Sequence, residues 1–138
     1  MLNFFNKSDL QIKRQNGIKM DIKKNNRISI IGAGNLGQAI AKGLVKSGSF
    51  TPDNIILTRR ALSELTYLGE NSFGITDDNS SAVIKSDLII VSVGPQDAER
   101  VLNSFKDDLG SDKHTLISTM TGVSIKKFKL WSVNKYLL

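Results

Sequence analysis

The chain contains no cysteine, so its 138 residues hold no disulfide, no thiolate metal site and no cysteine nucleophile. It also lacks a long apolar run. A membrane-spanning helix needs roughly 18–20 apolar residues, whereas the longest stretch here, Leu88 to Val93, has the length of a strand. The length predicts one domain, which is short for an enzyme that needs both a cofactor domain and a substrate domain.

Histidine occurs once, at His114, and no carboxylate and nucleophile accompany it in the sequence, so a catalytic histidine is not predicted. Two acidic pairs, Asp77-Asp78 and Asp107-Asp108, have no third ligand at metal spacing. Helix caps and solvated turns account for both pairs, and no metal site is predicted.

The net charge of +6 is distributed unevenly. Residues 1–26 carry six basic and two acidic side chains, and residues 126–138 carry four lysines and no acid. Between them, residues 27–125 have nine basic and eleven acidic side chains. The basic character therefore belongs to the two ends, and no basic face interleaved with aromatic residues indicates specific nucleic-acid binding. We predict a domain over residues 27–125, without a specific nucleic-acid partner and without membrane association.

Residues 1–26 are polar and rich in Asn and Lys, and they lack the apolar core of a secretory signal. Asp9, Asp21 and a single arginine are unlike a mitochondrial presequence, which avoids acids and favours Arg and Ser. We expect a mostly disordered extension on a cytoplasmic protein.

A short β-branched run, Ile28–Ile31, leads directly into the pattern Gly-x-Gly-x-x-Gly at Gly32, Gly34 and Gly37. In a dinucleotide-binding turn the first glycine permits the tight turn, and the second lets the backbone approach a pyrophosphate. The third lets the following helix pack closely on the strand. The pyrophosphate would lie at the helix N-terminus, where N–H groups and the positive end of the dipole point.

The sequence around this loop has the periodicity of alternating strands and helices. Apolar residues recur at helical spacing after Leu36, Gly48 ends that helix, and a second strand follows at residues 54–58. Further short helices are predicted at residues 63–70, 79–85 and 96–105, and further strands at 75–76, 87–93 and 114–120. This alternation predicts an α/β fold with a Rossmann-type, doubly wound parallel sheet of strand order 3-2-1-4-5.

In that strand order the first and fourth strands are neighbours where the winding reverses, and ligands bind at their carboxyl ends. The glycine loop and the segment Ser92-Val93-Gly94-Pro95 should therefore converge on one crevice. At the end of the second strand an NAD site carries an acid, but this chain has Thr58-Arg59-Arg60. Two guanidiniums suit a 2′-phosphate, so NADP(H) is favoured over NAD(H).

Together these motifs resemble those of pyrroline-5-carboxylate reductase, the last enzyme of proline synthesis, over roughly residues 28–125. The matching segments are Ile31-Gly32-Ala33-Gly34-Asn35-Leu36-Gly37-Gln38-Ala39-Ile40, Gly43-Leu44, Ser47-Gly48, Asp78-Asn79, Ser86-Asp87-Leu88-Ile89-Ile90, Val93-Gly94-Pro95-Gln96, Ile117-Ser118 and Gly122-Val123-Ser124-Ile125.

The resemblance implies NADPH-dependent reduction of a cyclic imine to L-proline, and it implies a set of residues that contact the cofactor. The glycine loop would bind the pyrophosphate, and the end of the second strand would meet the adenosine ribose. Asn79 and the loop after the fourth strand would contact the cofactor as well. The implied set is Ile31, Gly32, Ala33, Gly34, Asn35, Leu36, Gly37, Thr58, Arg59, Arg60, Asn79, Ser92, Val93 and Pro95.

Two departures from that family bear on activity. Gly94 stands where the family has a lysine, and the helical domain that dimerises and binds substrate in the family has no counterpart after Ile125. Residues 126–138 form a divergent basic and apolar tail, through which the chain could self-associate or bind a full-length reductase. We expect a truncated NADP(H)-binding domain with little or no activity alone. The alternatives are a non-catalytic cofactor-binding module, a gene remnant that partners a full-length reductase, or an unrelated member of the same superfamily.

Overall fold

The computed structural model describes residues 3–6, 26–110 and 112–132, and its centre is a six-stranded sheet. Across the sheet the order is β1-β6-β5-β2-β3-β4. The strands are β1 Asn3–Asn6, β2 Ile28–Ile31, β3 Ile55–Thr58, β4 Gly74–Thr76, β5 Leu88–Val91 and β6 Thr115–Ser118.

Strands β2 to β6 are parallel and confirm the predicted order 3-2-1-4-5. The strand that precedes the glycine loop, β2, lies between β3 and β5. Its last residue, Ile31, is level with Thr58 on one side and with Val91 on the other. The three segments that follow these residues therefore leave the sheet side by side, at the carboxyl ends of the strands.

Strand β1 pairs antiparallel with β6, and Asn3 lies opposite Ser118. The extension is expected to be mostly disordered, and within it the structure describes one short strand at residues 3–6 that the sequence analysis did not predict. A backbone segment can add to an open sheet edge through main-chain hydrogen bonds, which do not require an apolar sequence pattern. The rest of the extension, residues 7–25, lies outside the described residues.

Four α-helices connect the parallel strands, and a fifth follows β6 in the described part of the chain; 3-10 turns lie at Pro52–Asn54, Leu62–Leu65 and Lys106–Asp108. The helices are α1 Asn35–Lys46, α2 Thr66–Glu70, α3 Asn79–Ile84, α4 Ala98–Asn103 and α5 Ile125–Ser132. The predicted helix at residues 63–70 is in fact a 3-10 turn followed by α2. The predicted helix at 96–105 is shortened to α4, because the chain turns at residues 95–97 before it becomes helical.

The core consists of two apolar clusters that use alternate side chains of the central strands. Ile31 and Val91 belong to one cluster, whereas Ile30 and Ile90 belong to the other. Both sets are nearly inaccessible to solvent. Burial on both faces explains the near-continuous apolar run of β5, as expected for a central parallel strand.

Helix α5 begins at the predicted end of the cofactor domain and packs against α4. Phe128 is buried in the same core cluster as Leu102 and Phe105, and Trp131 is half-buried against that cluster. The part of the predicted tail that the structure describes is therefore attached to its own domain. Within the described ranges, no helix has both the length and the apolar character needed to cross a membrane.

Candidate functional site

A cavity of about 310 Å³ opens at the carboxyl ends of β2, β3 and β5. This volume lies near the lower end of the range for small-molecule sites. The cavity brings together most of the residues predicted from the sequence. These are Ile31, Gly32, Gly34, Thr58, Arg59, Arg60, Asn79, Ser92 and Val93.

Gly32 closes the turn between β2 and the helix. Its backbone has φ +82°, in the left-handed region. A Cβ built there would lie 2.2 Å from Val93 Cγ1 and 2.9 Å from the carbonyl oxygen of Ser92. The glycine loop and the loop after β5 therefore approach each other as closely as a residue without a side chain permits.

The other two glycines occupy opposite environments. A Cβ on Gly34 would have no atom within 4 Å, whereas one on Gly37 would lie 3.1 Å from Ile30 Cγ2 and 3.3 Å from the Gly32 carbonyl oxygen. Gly37 thus allows close packing of helix on strand, and Gly34 leaves open space at the cavity wall. Gly34 is also the N-cap of α1 and makes no side-chain cap. As at the start of any α-helix, the first N–H groups of α1 have no acceptor within the helix, and the Gly34 N-cap has no side chain to provide one.

Hydrogen bonds connect the end of β3 to the glycine loop and to α3. The Gly32 N–H donates to Thr58 Oγ1 over 3.3 Å, and the Thr58 hydroxyl donates to Asn79 Oδ1 over 2.6 Å. The Asn79 amide in turn donates to Ser104 Oγ over 3.0 Å. Thr58 is nearly inaccessible to solvent. The sequence indicated Thr58 and Asn79 as ligand contacts, and in the structure their polar atoms also hold the cavity wall together.

The three arginines that line the cavity differ in their ion pairs. Arg59 forms an ion pair with Glu64, and its Nη1 also donates to the Ala33 carbonyl over 3.4 Å. Among the described residues Arg60 has no ion pair, and it is exposed at the cavity rim. Arg100 pairs with Asp97 over 2.9 Å, one turn apart on the chain.

His114 lies away from this cavity and is buried between two backbone segments. Its Nδ1 accepts from the Gly110 N–H over 2.8 Å, and its Nε2 lies 3.0 Å from the Val83 carbonyl. The proton therefore resides on Nε2 of a neutral ring. Burial lowers the pKa of His114 from its ordinary value. The described residues contain no group of three side chains that could hold a metal ion.

A family model described as NADP oxidoreductase, coenzyme F420-dependent, matches residues 27–122. The chain belongs to this oxidoreductase family. The matched range contains all five parallel strands and every residue that lines the cavity. It ends just before α5.

Individual relatives support the resemblance to pyrroline-5-carboxylate reductase. Pyrroline-5-carboxylate reductase 2 of Dictyostelium discoideum is 39% identical over 109 residues, which are 78% of this chain and 36% of the relative. The structure of a pyrroline-5-carboxylate reductase from Coxiella burnetii matches 78% of this chain and 40% of its own with a TM-score of 0.71 and 28% identity. An imine reductase from Myxococcus stipitatus in complex with NADP⁺ matches 62% of this chain and 29% of its own, with a TM-score of 0.54 and 25% identity. The chain thus spans well under half the length of these relatives.

Some predicted contact residues of this oxidoreductase domain do not line the cavity. Ala33 and Gly37 are buried, and Asn35, Leu36 and Pro95 are exposed. Ala33 acts through its backbone instead, because its N–H donates to the Thr58 carbonyl over 2.8 Å and its carbonyl accepts from Gln38 and Arg59. Asn35 and Leu36 are in the first turn of α1, beside the open space at Gly34.

Gly94 lines the cavity, as expected for the segment after β5. Sequence reasoning missed several other lining residues, namely Ala61, Glu64, Asp77, Asp97, Arg100 and Val101. Two signals could have indicated some of them. Glu64 follows the arginine pair by one helical turn, and Asp97 and Arg100 have the i, i+3 spacing of a helical ion pair. Neither signal says that the side chain faces a cavity, because this depends on the direction in which each short helix packs.

Proposed function

We propose that this chain is the NADP(H)-binding domain of a pyrroline-5-carboxylate reductase-type enzyme, with residues 27–125 as its binding unit. One observation supports this most strongly: the glycine loop and the segment Thr58-Arg59-Arg60 open onto the same cavity. NADP(H) needs the glycine loop for its pyrophosphate and the arginine segment for its 2′-phosphate.

The residues present fit the cofactor. Open space at Gly34 would accommodate a pyrophosphate against the backbone, and the first turn of α1 offers N–H groups to it. Arg59 and Arg60 would meet the 2′-phosphate, and no acid stands at the end of β3 to bind a 2′-hydroxyl instead. The remaining predicted contacts, Asn79, Ser92, Val93 and Pro95, would line the path of the cofactor along the sheet edge.

When bound, the reduced nicotinamide supplies the hydride for imine reduction. The described residues of this chain can bind and orient that cofactor. Positioning the imine over it can account for roughly 7–11 kcal/mol of a reaction barrier. The resemblance implies that the substrate is bound by a further helical domain, outside the part that this chain shares with its relatives. We therefore propose cofactor binding with little or no reductase activity by this chain alone.

A second candidate is a non-catalytic cofactor-binding module that associates with a full-length reductase. The observation that favours it is Gly94, which stands at the cavity where the resemblance leads one to expect a lysine. Partnering through residues 126–138 and a cytoplasmic location belong to this proposal.

Calorimetric titration of the purified chain with NADPH and with NADH tests the proposal. We expect NADPH to bind more tightly by about 1–3 kcal/mol, the contribution of charge-assisted hydrogen bonds to a 2′-phosphate. Arg60→Gln should remove most of this difference while leaving NADH binding unchanged. Binding of neither dinucleotide would reject the proposal.

A parallel assay separates the two candidates. NADPH oxidation with pyrroline-5-carboxylate should be absent or slow with this chain alone, and a pull-down from cells containing a full-length reductase should show whether the two associate. Turnover comparable to that of a full-length reductase would contradict the proposed limitation to cofactor binding.

A further inference from the structure

The charged side chains at the cavity balance one another in number. Three arginines and three acids line it, namely Arg59, Arg60, Arg100, Glu64, Asp77 and Asp97. Because these charges cancel, a phosphate can be bound here only if at least one arginine is not paired with an acid. Which arginine is available therefore depends on how the six groups pair.

Two of the three arginines are already paired. Glu64 binds Arg59, and Asp97 binds Arg100. Arg60 has no ion pair within the described part of the chain. The adjacent Arg59 and Arg60 are thus not equivalent, although the sequence presents them as a matched pair.

The fold determines the position of Glu64. Glu64 belongs to the 3-10 turn Leu62–Leu65, and its N–H donates to the Ala61 carbonyl over 3.1 Å. The next residue, Leu65, is completely buried in the core and anchors this turn. The carboxylate is therefore placed beside Arg59 by packing of the turn, while half of the Glu64 side chain surface stays accessible to a ligand.

Arg59 does not depend on Glu64 alone for its orientation. Its Nη1 donates to the Ala33 carbonyl in the glycine loop, and its Nη2 pairs with Glu64. If the carboxylate were removed, the guanidinium would keep one anchor and gain free donors on the cavity side. A guanidinium with two free N–H groups can bind a phosphate bidentately.

We propose that Glu64 is a specificity-determining residue that competes with the 2′-phosphate of NADP(H) for Arg59. This inference rests on the proposed NADP(H) site. In the free protein Glu64 pairs with Arg59, so this guanidinium is not free to bind the phosphate. Arg60 carries the recognition of the 2′-phosphate, and Glu64 limits how strongly NADP(H) is preferred over NAD(H).

The test is Glu64→Gln, titrated with NADP⁺ and with NAD⁺ by calorimetry. Gln has nearly the same shape, removes the negative charge and replaces one acceptor oxygen with an NH₂ donor. Because exposed ion pairs are individually weak, we expect NADP⁺ affinity to rise by about three- to tenfold. NAD⁺ affinity should change by less than about twofold, since NAD⁺ has no 2′-phosphate to bind the freed Arg59 guanidinium.

Glu70→Gln is the matched control, because Glu70 is an exposed acid at the end of α2 and does not line the cavity. It should leave both affinities unchanged. In addition, Arg59→Gln should abolish the gain produced by Glu64→Gln, since the freed guanidinium is its source. Thermal melting of each variant checks that the fold is retained.

Several results would overturn the inference. A loss of NADP⁺ affinity in Glu64→Gln would mean that Glu64 holds Arg59 in position for the phosphate. An equal gain for both dinucleotides, or a gain that persists in the Arg59→Gln background, would indicate a general charge effect. If the wild-type chain binds and the ratio does not change, only this inference fails. If the wild-type chain binds neither dinucleotide, the proposed function fails with it.

Discussion

At Gly32 both the left-handed backbone and the close contact with the loop after β5 require glycine. We expect Gly32→Ala to destabilise the fold by about 2–4 kcal/mol, because a left-handed φ is costly for alanine and the added Cβ would overlap Val93 and the Ser92 carbonyl. Urea denaturation of the two proteins measures this difference.

Gly34→Ala is the matched control for that substitution. Gly34 has an ordinary φ of −77°, and its Cβ would meet no atom within 4 Å. Stability should therefore change by less than about 1 kcal/mol, while NADPH affinity falls because the methyl group occupies the space proposed for the pyrophosphate. Equal stability losses in the two variants would contradict the distinction between these glycines.

The buried His114 makes the stability of the domain dependent on pH. Burial lowers the pKa of His114 in the folded state, so below about pH 6.5 the unfolded chain binds a proton that the folded chain does not. The unfolding free energy should therefore fall as the pH decreases through this range, with a slope of up to about 1.4 kcal/mol per pH unit. Denaturation at pH 7.5, 6.5 and 5.5 measures the slope.

His114→Gln provides the comparison for this pH dependence. It should be less stable than the wild type at pH 7.5, because the ring accepts from Gly110 and donates to Val83. Its stability should also vary less between pH 7.5 and 5.5. An unchanged slope in the variant would assign the pH dependence to the carboxylates.

Among the elements, α5 determines how far the domain extends. Phe128 is buried in the cluster that contains Leu102 and Phe105. We expect Phe128→Ala to lower the unfolding free energy by about 3 kcal/mol, in the range for loss of a core aromatic. Thermal or urea denaturation would detect this change.

Leu130→Ala, in the same helix, is the control for that prediction. Leu130 is 75% exposed, so its truncation should change stability by no more than about 0.5 kcal/mol. If both variants matched the wild type, α5 would not contribute to the fold of the domain, and the cooperative unit would end before residue 125.

A strand or helix can be predicted when neighbouring residues in the chain carry its pattern of apolar positions. Strands β2 and β5 are evident in the sequence because burial on both faces requires an apolar residue at nearly every position. The short helices are harder to delimit, since α2, α3 and α4 have five or six residues each and little periodicity. Strand β1 could not be predicted, because its pairing with β6 depends on an open sheet edge elsewhere in the chain.

At the scale of the whole molecule, the site was only partly predictable. The glycine loop and Thr58-Arg59-Arg60 were found because each is a local motif with a known geometry. Glu64, Asp97 and Arg100 were missed because they reach the cavity from separate short elements. Their contribution depends on pairing across those elements, which no local pattern records.

The class of fold, the strand order and the position of the crevice follow from patterns in the amino-acid sequence. Periodicity, glycine spacing and the handedness of parallel connections suffice for these features. Which groups at the crevice are available to a ligand depends on how the side chains pack in three dimensions. Arg59 and Arg60 are neighbours in the chain, but packing of the 3-10 turn behind Leu65 brings Glu64 to Arg59 and leaves Arg60 without an ion pair among the described residues. Charge pairing is a property of distances between side chains, and those distances are set by the packed core.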